Sequence, residues 1–145
     1  MIAKTRERTL KLARDTLTIE AAALQTMRDR LEGQNADALI HAVELLHGCK
    51  GRIVVSGIGK SGHIARKIAA TFASTGSPAF FVHPAEASHG DLGMVTREDV
   101  FVALSNSGET DELLTIVPIV KRTGAKLIAL TGAPNSSLAK LADAH

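Results

Sequence analysis

The sequence predicts an α/β domain of three layers, a doubly wound parallel sheet with helices on both faces, preceded by two N-terminal helices. Three observations carry this. Four short apolar runs have the length of strands: RIVVS (Arg52 to Ser56), AFFV (Ala79 to Val82), VFVALS (Val100 to Ser105) and KLIALT (Lys126 to Thr131). Helical patterns separate them, over Ile64 to Ser74, about Thr110 to Arg122, and from about Ser136 onward. The strands are apolar along their length rather than alternating, which marks strands buried on both faces.

In chain order, the first element is a helix from about Thr5 to Leu31. Leu10, Leu17, Leu24 and Leu31 recur every seventh residue, and Ala13, Ala21 and Met27 fill the same stripe. Gly33 ends it, and Asn35 is the expected N-cap of a second helix reaching about His47. This pair has no sheet of its own, so its stripe buries against either the domain or a second subunit. The strand–helix alternation then begins, with a loop through His83, Pro84, His89 and Gly93 after the second strand. We read residues 1–145 as one domain, with helices over 1–50 and the α/β core over 51–145. A doubly wound sheet is expected to continue with another strand past LAKLADAH.

Composition excludes several roles. Four Phe and no Trp or Tyr leave no stacking platform for single-stranded nucleic acid. Seventeen basic against fifteen acidic residues, without a block of like charge, give no polyanion-binding surface, so no nucleic-acid partner is expected. The single cysteine, Cys49, rules out an intramolecular disulfide and a Cys-rich zinc module, and reads as a small buried thiol. MIAKTRERTLKLARD is charged throughout, unlike a signal peptide. No run approaches the roughly 18 apolar residues of a membrane span, and a cytoplasmic protein is expected.

The stretch VVSGIGKSGHIAR contains G-x-G-x-x-G at Gly57, Gly59 and Gly62, and a G-K-S that echoes a Walker A loop. Walker A needs a glycine five residues before Gly59, where Val54 stands inside the strand, and no later strand ends in an Asp for Mg²⁺. A dinucleotide site needs an acidic residue at the end of the second strand, which ends Val82-His83-Pro84. The third strand runs into SNSGET (Ser105 to Thr110) and the fourth into TGAPNSS (Thr131 to Ser137). Hydroxyls and helix N-termini converging at the carboxyl edge of such a sheet suit a phosphate monoester without a metal. Helix capping by Ser105, Ser107 and Thr110 is the plainer alternative. The combination S-x-S-G-x-T favours the ligand.

SGIGKSGHIARKIAATFASTG, FFVHPAEASHGDLGMV and ALSNSGETDEL together resemble the sugar isomerase (SIS) domain, and more narrowly the arabinose-5-phosphate isomerases of lipopolysaccharide biosynthesis. The resemblance implies a flavodoxin-like sheet, a homotetramer and interconversion of D-ribulose 5-phosphate and D-arabinose 5-phosphate for synthesis of Kdo. It implies no required cofactor, and often two C-terminal CBS domains, of which this sequence carries no residue. Of the family's catalytic lysine, two glutamates and histidine, the lysine matches Lys60 and the first glutamate Glu112. The other two fall beyond His145. The resemblance uses the match of His89 for substrate, and places an accessory, often inhibitory divalent ion such as zinc at the match of His83. It also puts Gly76 and Ser77 near the sugar.

Moving a carbonyl between C1 and C2 needs a base for a carbon-bound proton and a cation or donor for the enediolate oxygen. Lys60 is the candidate cation and Glu112 the candidate base. A histidine side chain ordinarily ionises near neutrality, so His89, and beside it His83, are candidates for ring opening or a proton shuttle between O1 and O2. Gly59, Ser61, Ser105, Ser107 and Thr110 are expected around the phosphate. His41, His47, His63 and His145 read as surface or terminal residues. A non-catalytic SIS module that binds a sugar phosphate for regulation is the alternative. Such a regulator carries a helix-turn-helix with a basic recognition helix, and the leucine-striped N-terminal helices have no such arrangement. An isomerase acting on a hexose or amino-sugar phosphate is a third reading.

Overall fold

The computed structural model describes residues 2–88 and 90–145, without the side chains of Ile2, Ala3, Ser88 and Asp91. The chain divides into two compact units, residues 1–37 and 38–145. The first holds α1 (Ile2–Asp29) and the opening of α2 (Gly33–His47). Leu10, Leu17, Leu24 and Leu31 all stand exposed. Asn35 is not the N-cap of α2. The helix starts two residues earlier, and the Asn35 amide donates instead to the Arg30 carbonyl at 2.9 Å, tying the turn between the helices.

The second unit is the expected three-layer parallel α/β domain. Its elements are β1 (Ile53–Gly57), α3 (Gly59–Ser74), β2 (Ala79–Val82), α4 (Pro84–Ser88), a 3₁₀ turn (Asp91–Met94), β3 (Val100–Leu104), α5 (Asp111–Thr123), β4 (Lys126–Leu130) and α6 (Ser137–Leu141). All strand pairs are parallel, in the order β2-β1-β3-β4. Beyond β4, Ala144 pairs parallel with Ile128, and the Ala129 N–H donates to the Ala144 carbonyl at 2.9 Å.

Alternate strand residues feed two separate cores, as the two-residue strand period requires. Val54, Val82, Phe101, Ala103, Leu127 and Ala129 face α5, α6 and the segment after β2. Ile53, Val55, Val100, Val102, Leu104 and Ile128 face α3 and the carboxyl half of α2, where Ala42, Leu45 and Leu46 pack. In α5, Leu113, Ile116, Val117 and Val120 recur at i, i+3, i+4 and i+7 and are completely buried. Each such side chain stabilises the fold by about 1.5–3 kcal/mol. Gly124, in the left-handed region at φ 89°, ends that helix.

Two carboxylates, Asp99 buried and Asp143 half-buried, fix the ends of the sheet. At the amino ends, the Asp99 carboxylate accepts the N–H groups of Arg52 at 2.6 Å and Thr96 at 2.7 Å. At the β4 edge, Asp143 accepts the Leu127 N–H at 2.7 Å and Lys121 Nζ at 3.0 Å. Burial pushes the Asp143 carboxyl up, but these donors outweigh it and hold the group below its ordinary range.

Two expectations change. Helix α3 starts at Gly59 rather than near Ile64, so G-K-S-G is its first turn and not a loop. The segment after β2 is largely helical, as α4 and the 3₁₀ turn, where the sequence suggests a loop.

Candidate functional site

The site is built at the carboxyl edge of the sheet, where β1 and β3 lie side by side and their following helices, α3 and α5, pack on opposite faces. This is the switch point at which ligands bind in sheets of this order. Backbone packing sets its floor. A Cβ on Gly62 would stand 2.7 Å from the Gly57 carbonyl oxygen, and one on Gly57 would stand 3.1 Å from the Leu104 carbonyl. Glycine at both positions lets α3 start against the strands. Gly59 differs: it faces open space and holds a left-handed φ of 56°, the bend that turns strand into helix.

Neither α3 nor α5 has a side-chain cap. Ile58 has no capping group, and the Thr110 side chain makes no cap bond to α5. The first-turn N–H groups of both helices, with their partial positive charge, therefore remain for a ligand. The hydroxyl of Thr110 lies 2.7 Å from that of buried Ser105, which also accepts the Gly108 N–H at 3.0 Å. Ser107 accepts the Glu109 N–H at 3.2 Å. These three residues thus shape the SNSGET loop from within and do not cap the helix.

The fourth loop behaves differently from expectation. The N–H of Ser137 is taken by Glu109 Oε1 at 2.7 Å, that of Leu138 by the Gly108 carbonyl at 3.1 Å, and that of Ala139 by Ser136 Oγ at 3.3 Å. The N-terminus of α6 is fully engaged by the protein itself, so its loop is a wall and not an anion site. Gly108, at φ 65°, lies so close to Ser136 that a Cβ there would collide with Oγ.

Between these loops lies an open cleft of about 360 Å³, lined by Lys60, Ser61 and Ile64 from α3, Ser105 and Asn106 after β3, and Thr131 and Gly132 after β4. That volume is at the small end of the roughly 300–1,000 Å³ typical of ligand sites, and suits a small phosphorylated molecule better than a dinucleotide. Lys60, Ser61 and Ser105 line this one cleft. Glu112 stands exposed in the first turn of α5 at the same edge, with Ser107 and Thr110 on the loop before it. Gly59 opens α3.

His83 leaves the carboxyl end of β2, beside β1. Its Nδ1 accepts the Ala85 N–H at 3.2 Å, which places the proton of the neutral ring on Nε2. The ring meets Phe81 edge-on at 6.4 Å, and the Arg66 guanidinium covers Phe81 at 4.0 Å. His89 lies outside the described residues. Gly76 and Ser77 precede β2, at the amino edge, in a different hollow lined by Arg52, Phe80 and Met94. Within one chain they do not join the Lys60 cleft.

Sequence reasoning puts the SNSGET and TGAPNSS loops at the site but does not single out Asn106, Thr131 or Gly132 within them. Their signal is position alone: each follows closely on a strand whose neighbours carry the ligand loops.

A family model of the SIS domain matches residues 45–145, from the end of α2 through all four strands. The chain belongs to the SIS domain family. Among relatives of this SIS domain, the Pseudomonas aeruginosa arabinose 5-phosphate isomerase KdsD is 53% identical over 92% of this chain and 40% of its own length. The arabinose 5-phosphate isomerase KpsF of Escherichia coli O6:H1 is 51% identical over 90% of this chain and 39% of its own. The chain thus spans about two fifths of these curated relatives. An E. coli CFT073 protein solved in complex with arabinose 5-phosphate is 43% identical, covers 92% of this chain and 71% of that one, and superposes with a TM-score of 0.79.

Proposed function

We propose that this SIS domain is the isomerase portion of an enzyme that interconverts D-ribulose 5-phosphate and D-arabinose 5-phosphate through an enediolate. One observation carries the reading: two uncapped helix N-termini follow the adjacent strands β1 and β3 at the switch point, one bearing Lys60 and the other Glu112. The identity to KdsD and KpsF and the likeness to the arabinose 5-phosphate complex support it.

In this reading the phosphate sits against the first turns of α3 and α5, with the hydroxyls of Ser61 and Ser107 within reach of it. Glu112 removes the proton from C1 of the ketose, and the electron pair moves to O2 to give the enediolate. Lys60 faces the developing oxyanion. Glu112, its proton exchanged with solvent, delivers a proton to C2, and a proton passes from O1 to O2 to complete the aldose. His83 presents Nε2–H as a donor, which suits that last transfer.

The chemistry so written needs no metal. A divalent ion at His83 fits poorly, because a neutral metal-bound imidazole carries its proton on the other nitrogen and donates it. Here Nδ1 is an acceptor. Assembly into a homotetramer belongs to the same reading, with the exposed leucines of α1 as contact surface. So does a cytoplasmic location. Among the described residues, no helix is long and apolar enough to cross a membrane.

The test is incubation of the full-length protein with D-ribulose 5-phosphate in D₂O, followed by NMR. Arabinose 5-phosphate carrying deuterium at C2 is expected. Binding without exchange or product would replace the enzyme with a sugar-phosphate-binding regulatory module.

A further inference from the structure

The fourth loop lines the cleft through Thr131, and the bonds of its hydroxyl can be counted. A threonine hydroxyl gives one proton and receives on two lone pairs. The hydroxyl stands within donor reach of the Ala133 carbonyl at 3.0 Å, and one lone pair takes the Ala133 N–H at 3.0 Å. The Nε2 atom of His145 lies 2.8 Å from the same oxygen. Hydroxyl and imidazole share this hydrogen bond, its direction set by the ring's tautomer. The backbone delivers this ring to its place, since Ala144 is paired beyond β4 and the Asp143 N–H donates to the Leu127 carbonyl at 2.8 Å.

We propose that His145 is a positioning residue for the sugar-phosphate cleft. It closes the hydrogen bonding of Thr131, fixes the Thr131–Ala133 turn and so holds the β4 wall where the ligand meets it. Thr131 contributes placement, because its hydroxyl is saturated by the protein. The proposal rests on the sugar-phosphate reading above, and nothing in the recognised motifs includes His145.

The test compares His145→Ala and His145→Gln in the full-length protein. Glutamine keeps an N–H donor near the position of Nε2. Two readouts are followed, amide hydrogen exchange at Ala133 and the split between KM and kcat for D-ribulose 5-phosphate. In His145→Ala, exchange at Ala133 is expected to quicken and KM to rise, each about 3- to 10-fold, the scale of one partly exposed hydrogen bond, with kcat within about twofold. His145→Gln restores most of both. Unchanged exchange in His145→Ala, a fall in kcat at constant KM, or a glutamine variant no better than alanine overturns the proposal. If the wild-type protein neither binds nor converts the pentose phosphates, the substrate reading fails by itself. Exchange at Ala133 then still decides the role of His145.

Discussion

The carboxylate of Glu109 accepts the backbone N–H of Ser137 across 28 residues of sequence, at 2.7 Å, and so ties the third loop to the first turn of α6. The Ser137 N–H is the main reason the Glu109 carboxyl sits below its ordinary value of 4.5, and the positive charge of Lys140 adds to it. A carboxylate lowered in the folded state stabilises fully above its unfolded pKa and loses that effect as pH falls through the folded value. Glu109→Gln is therefore expected to flatten the acid limb of the stability profile. Denaturation midpoints taken from pH 3 to 6 test this. The gap between wild type and variant is expected to be widest at the upper end of that range, and parallel profiles would remove the clip from the account.

Lys60 and Glu112 are exposed at the helix starts and carry none of the packing. Lys60→Ala and Glu112→Gln are each expected to lower turnover at least about 100-fold. Their unfolding midpoints should match wild type. A Glu112→Gln protein with unchanged kcat would require the base to be found elsewhere.

The glycines of the first loop are not equivalent. Gly62→Ala forces a Cβ against the Gly57 carbonyl at 2.7 Å, backbone that cannot rotate away, and is expected to cost about 1–3 kcal/mol. Gly59→Asn meets no neighbour and keeps a residue that accepts φ near 56°, so it should leave stability nearly unchanged. Urea denaturation of the two variants decides between this account and a uniform requirement for glycine.

His83 supplies a test of the metal-free chemistry. Turnover is expected to persist after exhaustive EDTA treatment and dialysis. Added zinc is expected to inhibit only weakly through His83, because binding must first displace the Ala85 N–H from Nδ1. A preparation silenced by EDTA and revived by one divalent ion would establish a required metal.

Much of this is readable in the residues, for physical reasons that differ by element. Buried parallel strands betray themselves as unbroken apolar runs, so the pattern places β1 to β4 to within about a residue. The start of α3 is hidden because Gly59 and Gly62 read as loop. Their real cause is the close passage of helix over strand, which only the fold reveals. The segment after His83 reads as a turn because of Pro84, although proline suits the first turn of a helix. The engagement of α6 by Glu109, and of Thr131 by His145, joins residues 28 and 14 positions apart, beyond the reach of any local pattern. Lys60, Ser61 and Ser105 are legible because their loops end strands that must share one edge.

The near-contact of Gly62 with the Gly57 carbonyl also bears on how such a site changes over time. Its floor is main chain against main chain, with no side chain to exchange for another. Variation that retunes ligand preference is therefore channelled into the rim, at Asn106 and Ile64. A library confined to those rim positions should sample new sugar phosphates while every member still folds.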